Sequence, residues 1–351
     1  MATPTTPERR LLAAGAKKGS ADWGTAVALG AGDGLLIVSD GGPTRKQPYS
    51  PAKEHDTPFV RTGDLGPIDP IDFALSFFMR YDPGRLGTLL AMIYGTAGAP
   101  EIQGTGPAYK HTFQFKDTIE GLFVTYAKEI PGKIHEIASA KPYAVEFSIA
   151  DGLLQTSLSL RGNKLIDDSA INIATQMDAL TYPDRYNRMK FSELVIKMND
   201  ESGGDVTGET ALVINGLTIS IARSPDAVPP AGQDYILEPL ETDHPQVTVK
   251  LSFPRANSVN TAFFQKFTAE TPQKLLAKFT GKLIETTYYY DLAFYFPRLK
   301  FSPDPPTYAD NEIVPAEITL VAEEAAAAPT GMSYTRPYLE LINKATTDYL
   351  A

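Results

Sequence analysis

The sequence predicts a mainly β protein built from two tandem β-barrel or β-sandwich domains, each with one flanking α-helix. Three observations support this fold class. The 351 residues include 27 Gly and 28 Pro, and this combined share exceeds the roughly 12% of an average protein, which indicates many turns. Two segments alternate apolar and polar residues with the period of a β-strand. The same order of features occurs in both halves, which indicates a duplication.

The alternating segments 71–77 and 247–253 are the clearest predicted strands. Their apolar, odd-numbered positions are Ile71, Phe73, Leu75, Phe77, Val247, Val249, Leu251 and Phe253. Most of the even-numbered positions between them are polar or small. Because successive side chains of a strand point to opposite faces, this pattern predicts two strands that each bury one face.

The features around these strands follow the same order in both halves. Segments 33–39 and 215–221 each lead through a Pro-rich stretch to an alternating strand, and further predicted strands close each half. We therefore expect an N-terminal arm at 1–22, a first β domain at 23–167, a linker at 168–182, a second β domain at 183–328 and a C-terminal arm at 329–351.

One helix is predicted after each alternating strand. In the first half, Asp82-Pro83 and Gly95 have the residue types of a helix start and a helix end. In the second half, Thr271-Pro272 and Gly281 stand at the corresponding start and end of the predicted helix. The apolar residues between them predict two stripes that pack on their own domains, formed by Leu86, Leu89, Leu90 and Ile93 and by Leu275, Leu276 and Phe279.

The Pro-rich stretches Gly41–Pro70 and Arg223–Pro245, here called the first and second arms, are far longer than the ~4–6 residues of a typical connection. We predict that they contact neighbouring copies of the chain, because such segments can extend beyond their own domain. The residues predicted to make these contacts are Arg45, Lys46, Tyr49, Phe59, Arg61 and Tyr235. The basic residues Arg9, Arg10, Lys17 and Lys18 predict a further contact from the N-terminal arm to an acidic second copy.

Composition excludes several classes of function. The chain has 32 Lys and Arg against 42 Asp and Glu, a net charge of -10, and no Cys. Tight DNA binding requires basic stripes, which the sequence lacks, and disulfides and thiolate chemistry are excluded. No apolar stretch approaches the ~18 residues of a membrane span, and the run Leu11–Ala16 is shorter than the ~7 residues of a signal-peptide core. We expect a protein that is made in the cytoplasm and does not bind a membrane.

No group of residues indicates catalysis. The four histidines, His55, His111, His135 and His244, lie apart and form no HExxH motif. There is no GxSxG motif, and both Gly-Lys pairs are followed by an aliphatic residue where a phosphate-binding loop requires Ser or Thr. The sequence therefore predicts a non-enzyme without a metal or cofactor. An enzyme with an unrecognised acidic pair is the remaining catalytic alternative.

Two segments resemble the tail tube proteins of long-tailed bacteriophages. They are residues 23–36, WGTAVALGAGDGLL, and residues 80–98, RYDPGRLGTLLAMIYGTAG. The resemblance implies a β-barrel or sandwich with one helix, whose copies join into a ring around a DNA channel. The family's usual ring has six single-domain subunits, so the duplication in this chain implies trimers that place six domains around the channel.

The resemblance also implies location and partners. It implies a structural protein of the virion that associates with itself into stacked rings, meets a tape measure protein and tail terminator or tip proteins, and lets viral DNA pass without tight binding. The alternative is a two-domain β module that binds a carbohydrate or another ligand, which is supported by the 17 Tyr residues and the aromatic strands. A ligand-binding module is expected to stay monomeric.

Overall fold

The computed structural model describes residues 13–14, 23–51, 59, 63–66, 69–130, 132–230, 233, 235–254, 265–302, 307–308 and 316–351. In these ranges the chain is mainly β, as the sequence predicts. The N-terminal arm residues Arg9, Arg10, Lys17 and Lys18, and Arg61 of the first arm, lie outside the described residues.

The first half contains eleven of the described strands and two short helices. The strands are β1 Ala13–Ala14, β2 Tyr49–Pro51, β3 Gly63–Leu65, β4 Ile71–Phe78, β5 Gly95–Thr96, β6 Glu101–Gln103, β7 Ala108–Phe115, β8 Val124–Ile130, β9 Lys133–Ala150, β10 Leu153–Gly162 and β11 Leu165–Ile166. The helices are α1 Arg85–Tyr94 and α2 Ala174–Asp178, the second within the predicted linker.

The second half is formed by strands and short helical turns in the part of the chain that is described. Its strands are β12 Leu194–Asp200, β13 Gly216–Ala222, β14 Gln246–Phe253, β15 Gln273–Glu285, β16 Tyr288–Phe301, β17 Thr307–Tyr308, β18 Ala316–Glu323 and β19 Tyr338–Asn343. Residues 265–268 form one helical turn before β15.

Apart from the hairpin of β2 and β3, these strands belong to one antiparallel sheet. Within the described residues this sheet does not close on itself. Neighbouring strands follow the order β4–β10–β9–β13–β14–β18–β16, so the sheet runs from the first half into the second without a break. This run of seven strands is called the central sheet below.

The two halves contribute strands in the same spatial order. In the first half β1 pairs with β8, β8 with β9, β9 with β10 and β10 with β4. In the second half β12 pairs with β15, β15 with β16, β16 with β18 and β18 with β14. The short strand β11 faces β9 at Glu136, and β19 faces β16 at Asp291. β9 and β16 therefore occupy corresponding places in the two halves.

The main apolar core contains residues from both halves. Phe77, Phe147 and α1 residues of the first half share one buried cluster with Ile219, Phe279 and Phe294 of the second. The rings of Phe147 and Phe294 are in contact, with centroids 4.9 Å apart. The two halves are thus joined through backbone hydrogen bonds and through shared apolar packing. The boundaries predicted for two separate domains, 23–167 and 183–328, stay untested.

The helix of the first half lies close to its predicted position. It begins at Arg85, two residues after Pro83, because Gly84 has a φ of 58° and is not helical. It ends at Gly95, whose φ of 96° is the left-handed conformation that favours glycine after a helix. The stripe residues Leu86, Leu89, Leu90 and Ile93 are all buried in the main core.

The predicted helix of the second half is wrong. Leu275, Leu276 and Phe279 lie in strand β15, where Leu275 and Phe279 face the main core. Leu276 points to the opposite face and packs in a second cluster with Met332 and Tyr338. Because both faces of this strand are covered, its apolar residues occupy odd and even positions, and the spacing imitates a helical stripe.

Candidate assembly surface

Two ladders of backbone pairs join the two halves: β19 pairs with β7, and β13 pairs with β9, which is called the junction below. It runs from Thr218 opposite Ser148 to Ala222 opposite Ala144. In its middle, Ile219 lies opposite Phe147, and both side chains are fully buried. The chain therefore already contains one junction in which the edge of one sheet unit accepts the outer strand of another.

Arg223 strengthens this junction directly after β13. Its Nε donates to the carbonyl of Ile93 at 2.7 Å, and one terminal nitrogen donates to the carbonyl oxygens of Tyr94 at 3.3 Å and Lys116 at 3.0 Å. The other terminal nitrogen bonds Glu241 Oε1 at 2.8 Å. Because the last carbonyls of a helix lack intrahelical donors, Arg223 of the second half caps α1 of the first. Burial lowers the pKa of the fully buried Arg223, which the bond to Glu241 opposes.

The second arm is bound to the first half of its own chain. Glu238 Oε1 accepts hydrogen bonds from the Gly121 amide at 2.7 Å and from the ammonium of Lys141, itself buried, at 2.8 Å. Trp23 Nε1 donates to the Ile236 carbonyl at 2.8 Å, and Ile236 is fully buried. Buried polar groups therefore anchor residues 236–238 to the first half, and contact of the second arm with another ring stays a prediction. Tyr235, the residue predicted to contact another ring, is half-buried beside this anchor.

The described residues of the first arm that are predicted to contact another ring are more exposed than Tyr235 of the second arm. Tyr49 and Leu65 face each other across the β2–β3 hairpin, and they are 58% and 66% exposed. Phe59 is 82% exposed. Arg45 bonds the side chain of Gln47 at 3.2 Å, and both Arg45 and Lys46 are exposed. Contacts of these residues with another ring stay a prediction.

One face of the central sheet is packed on the core, and the other is accessible and rich in hydroxyl groups. The strand alternation brings small polar residues into cross-strand register on the accessible face. Ser157 lies between Ser76 and Glu146, and Ser220 lies between Glu146 and Thr248. The hydroxyl residues of this face are Ser76, Ser148, Ser157, Ser159, Thr218, Ser220, Thr248, Ser252 and Thr319. This surface is called the hydroxyl face below.

The basic side chains on the hydroxyl face form ion pairs with carboxylates. Arg161 bonds both oxygens of Asp72, at 2.8 and 2.9 Å, and these hydrogen bonds raise the pKa of Arg161. Lys250 lies 2.7 Å from Glu317 and lowers the pKa of that carboxyl. Arg298 and Lys300 both pair with Glu323. Since each of these cations already has an anionic partner, the face offers little net attraction to a phosphate backbone.

Comparison with protein-family models and with curated proteins gives no match for this chain. Among the described residues, no helix combines the length and apolar character that crossing a bilayer requires. The described side chains also contain no cluster of three or more His, Asp or Glu residues arranged to hold a metal ion.

Sequence reasoning missed the junction and the hydroxyl face. The even-numbered polar residues of the predicted strands marked an accessible face, but their alignment across seven strands depends on the pairing order. The role of Arg223 has no local signal, because its acceptors Ile93 and Lys116 are more than a hundred residues away in the chain.

Proposed function

We propose that this chain is a structural subunit of a tail tube, that its copies join into rings, and that the hydroxyl face lines the channel. The observation that carries the proposal is the central sheet, which is continuous across both halves. A sheet that continues through an internal junction can continue through the same kind of junction between copies. Repetition of that step around an axis gives a closed ring.

The matching strand order supports the finer interpretation of a duplicated tube domain. β4, β8, β9, β10 and β11 of the first half correspond to β14, β15, β16, β18 and β19 of the second in order and pairing. Each chain then supplies two sheet units, and a trimer supplies six. This matches the pseudo-sixfold ring that the resemblance of residues 23–36 and 80–98 to phage tail tube proteins implies.

The chemistry of the hydroxyl face supports DNA passage without retention. Short Ser and Thr side chains make up most of this face, its rings Tyr143 and Phe78 are each covered by an arginine, and the paired Arg161 and Lys250 leave few cations for phosphates. We therefore propose a non-enzymatic role in the virion, in which the ring stacks into a tube. Tape measure and tail terminator or tip proteins are the proposed partners of the tube.

Native mass spectrometry and negative-stain imaging over a series of protein concentrations test the proposal. We expect trimers and ring-shaped particles that stack as the concentration rises. A protein that is monomeric at every concentration contradicts the proposal and favours the ligand-binding alternative. Rings that contain six copies of the whole chain contradict the duplicated form of the proposal.

A further inference from the structure

Two arginines lie directly opposite each other just beyond the end of β4. Arg80 forms an isolated antiparallel bridge with Arg188, which belongs to the segment before β12. Backbone hydrogen bonds of 3.1 and 3.2 Å join the residues on either side of Arg80 to those on either side of Arg188. The two arginines therefore form a non-hydrogen-bonded pair, the arrangement that brings opposed side chains closest. Like charges at such a pair destabilise a sheet.

The guanidinium of Arg80 has more donors than the described residues use. Its side chain is covered, since the residue is only 5% exposed. One terminal nitrogen donates to the Phe78 carbonyl at 2.8 Å. The Nε is buried without a hydrogen-bond partner, and the other terminal nitrogen bonds no described residue. Because buried polar groups are nearly always hydrogen-bonded, these donors are suited to an acceptor from outside the chain.

Contacts hold Arg188 in place without using its terminal nitrogens. Its guanidinium lies over the ring of Phe78, 5.2 Å from the centroid, which is a cation–π contact. Its Nε donates to the Arg185 carbonyl at 3.2 Å. Both terminal nitrogens bond no other described residue. Phe78 and Arg80 are two residues apart and share one side of β4, so the free nitrogens of Arg188 lie on the side of Arg80.

A third cation, Arg185, adds to this charge, and one carboxylate opposes it. Burial lowers the pKa of Arg80 most, the charges of Arg188 and Arg185 act in the same direction, and Asp184 opposes them. Asp184 forms no ion pair with these arginines in the described part of the chain, and its Oδ1 accepts a hydrogen bond from the Tyr186 amide at 2.9 Å. Three guanidinium charges against one carboxylate leave an excess of two positive charges.

We propose that Arg80, Arg185 and Arg188 form a binding site for a phosphate group, called the arginine site below. A phosphate monoester carries about −1.5 to −2 charges at pH 7, which matches the excess of two positive charges. Guanidinium groups bind phosphate oxygens through paired hydrogen bonds. The ligand is small, because Arg80 is almost completely covered, whereas a DNA duplex is held by many exposed cations along its backbone. The arginine site does not depend on the formation of rings.

Melting temperatures at constant ionic strength test the arginine site, because a ligand that binds only the folded chain stabilises it. The two probes are inorganic phosphate and adenosine monophosphate, each titrated against NaCl. We expect inorganic phosphate to raise the melting temperature saturably. An equal rise with adenosine monophosphate assigns the site to phosphate monoesters as well, and a rise with inorganic phosphate alone assigns it to the free ion. Absence of a rise with inorganic phosphate overturns the proposal.

Substitution of the two accessible arginines locates the bound phosphate. Neither Arg185 nor Arg188 is buried, so the double variant Arg185→Gln and Arg188→Gln is expected to fold. Its dissociation constant for phosphate is expected to rise by about tenfold or more, because it loses charge-assisted hydrogen bonds. Arg45→Gln is the matched control, since Arg45 is also exposed and bonds the uncharged side chain of Gln47. A double variant that keeps the full response to phosphate overturns the proposal.

A short DNA duplex distinguishes the arginine site from a nucleic-acid surface. We expect the natural protein and the double variant to bind the duplex equally weakly, because a single small cluster neutralises few phosphates. Duplex binding that the double variant abolishes, without a response of the natural protein to inorganic phosphate, overturns the arginine site in favour of a DNA-binding surface. Each measurement can be made on monomers or on rings, so a failure of the arginine site leaves the proposed function intact.

Discussion

Ile219 lies directly opposite Phe147, and this pair connects the second half of the chain to the first. Each side chain is fully buried because the other half covers it. The relationship makes the central sheet a continuous surface across both halves of a single chain.

Replacement of Arg223 by Met is expected to lower the free energy of unfolding by about 3–5 kcal/mol, because it breaks the ion pair with the largely covered carboxylate of Glu241 and removes the cap of α1. Urea denaturation measures this value. Arg336→Met is the matched control: Arg336 pairs with the carboxylates of Asp117 and Glu324 but is half-exposed, so its loss is expected to cost about 0–1 kcal/mol. Equal effects of the two substitutions would contradict the role given to Arg223.

Leu90→Ala is expected to destabilise the protein by about 2–5 kcal/mol, since Leu90 is 2% exposed and its truncation leaves a cavity in the shared core. Thermal or urea unfolding provides the measurement. The exposed Val213→Ala is expected to change stability by less than about 0.5 kcal/mol. If Leu90→Ala leaves stability unchanged but prevents assembly, the α1 stripe is an interface between copies.

Removal of carboxylates from the hydroxyl face is expected to create DNA binding. The double variant Asp72→Asn and Glu317→Gln leaves Arg161 and Lys250 without their partners. Assembled variant protein is expected to retain DNA at about 50 mM salt and to release it at about 200 mM, because phosphate contacts weaken steeply with salt.

A mobility-shift assay with the natural protein and the Asp167→Asn variant provides the control. Asp167 also pairs with Lys133, but Lys133 lies at the end of β9 that pairs with β8, away from the hydroxyl residues Ser148 and Ser220. DNA binding that increases equally in both variants would contradict the assignment of the hydroxyl face to the channel.

Asp40 is expected to make stability depend on pH in the acid range. Burial disfavours the charged form of Asp40, but hydrogen bonds and charge attraction from Lys128, together with bonds from Gly42 and Tyr126, outweigh it and lower the pKa of Asp40 below 3.8. The folded protein therefore binds the proton less readily than the unfolded chain. The stabilising contribution is complete above pH ~4 and decreases as the pH falls through the pKa of the folded state.

The difference in unfolding free energy between the natural protein and Asp40→Asn measures this contribution. We expect the difference to be largest near neutral pH and to shrink as the pH is lowered from 4 to 2. A difference that stays constant over that interval would mean that the charge of Asp40 does not stabilise the folded protein.

The sequence predicted the elements whose two faces differ. The segment Ile71–Phe78 alternates because one face meets the core and the other is accessible, and α1 has a clear stripe and a glycine at its end. β15 was misinterpreted because the core covers Leu275 and Phe279 while a second cluster covers Leu276. A strand buried on both faces loses the period of two that identifies it.

The assembly surface could not be predicted from the sequence, because its residues are brought together only by pairing between strands that are distant in the chain. In the sequence, Val38 has the pattern of a buried strand residue, although it is exposed in the structure. No local sequence pattern indicates that Arg223 donates to the carbonyl of Ile93. The prolines and length of the second arm predict contact with a neighbouring copy, but they do not indicate that Glu238 and Ile236 are anchored to Gly121, Lys141 and Trp23 of the first half.

Cryo-electron microscopy of the assembled protein tests the central claim most directly. We expect rings of three chains in which six sheet units surround a channel, with Ser157 and Ser220 of the hydroxyl face pointing into the channel. A protein that forms no rings, or rings in which the hydroxyl face points outward, would contradict the claim that this chain forms a DNA-conducting tube.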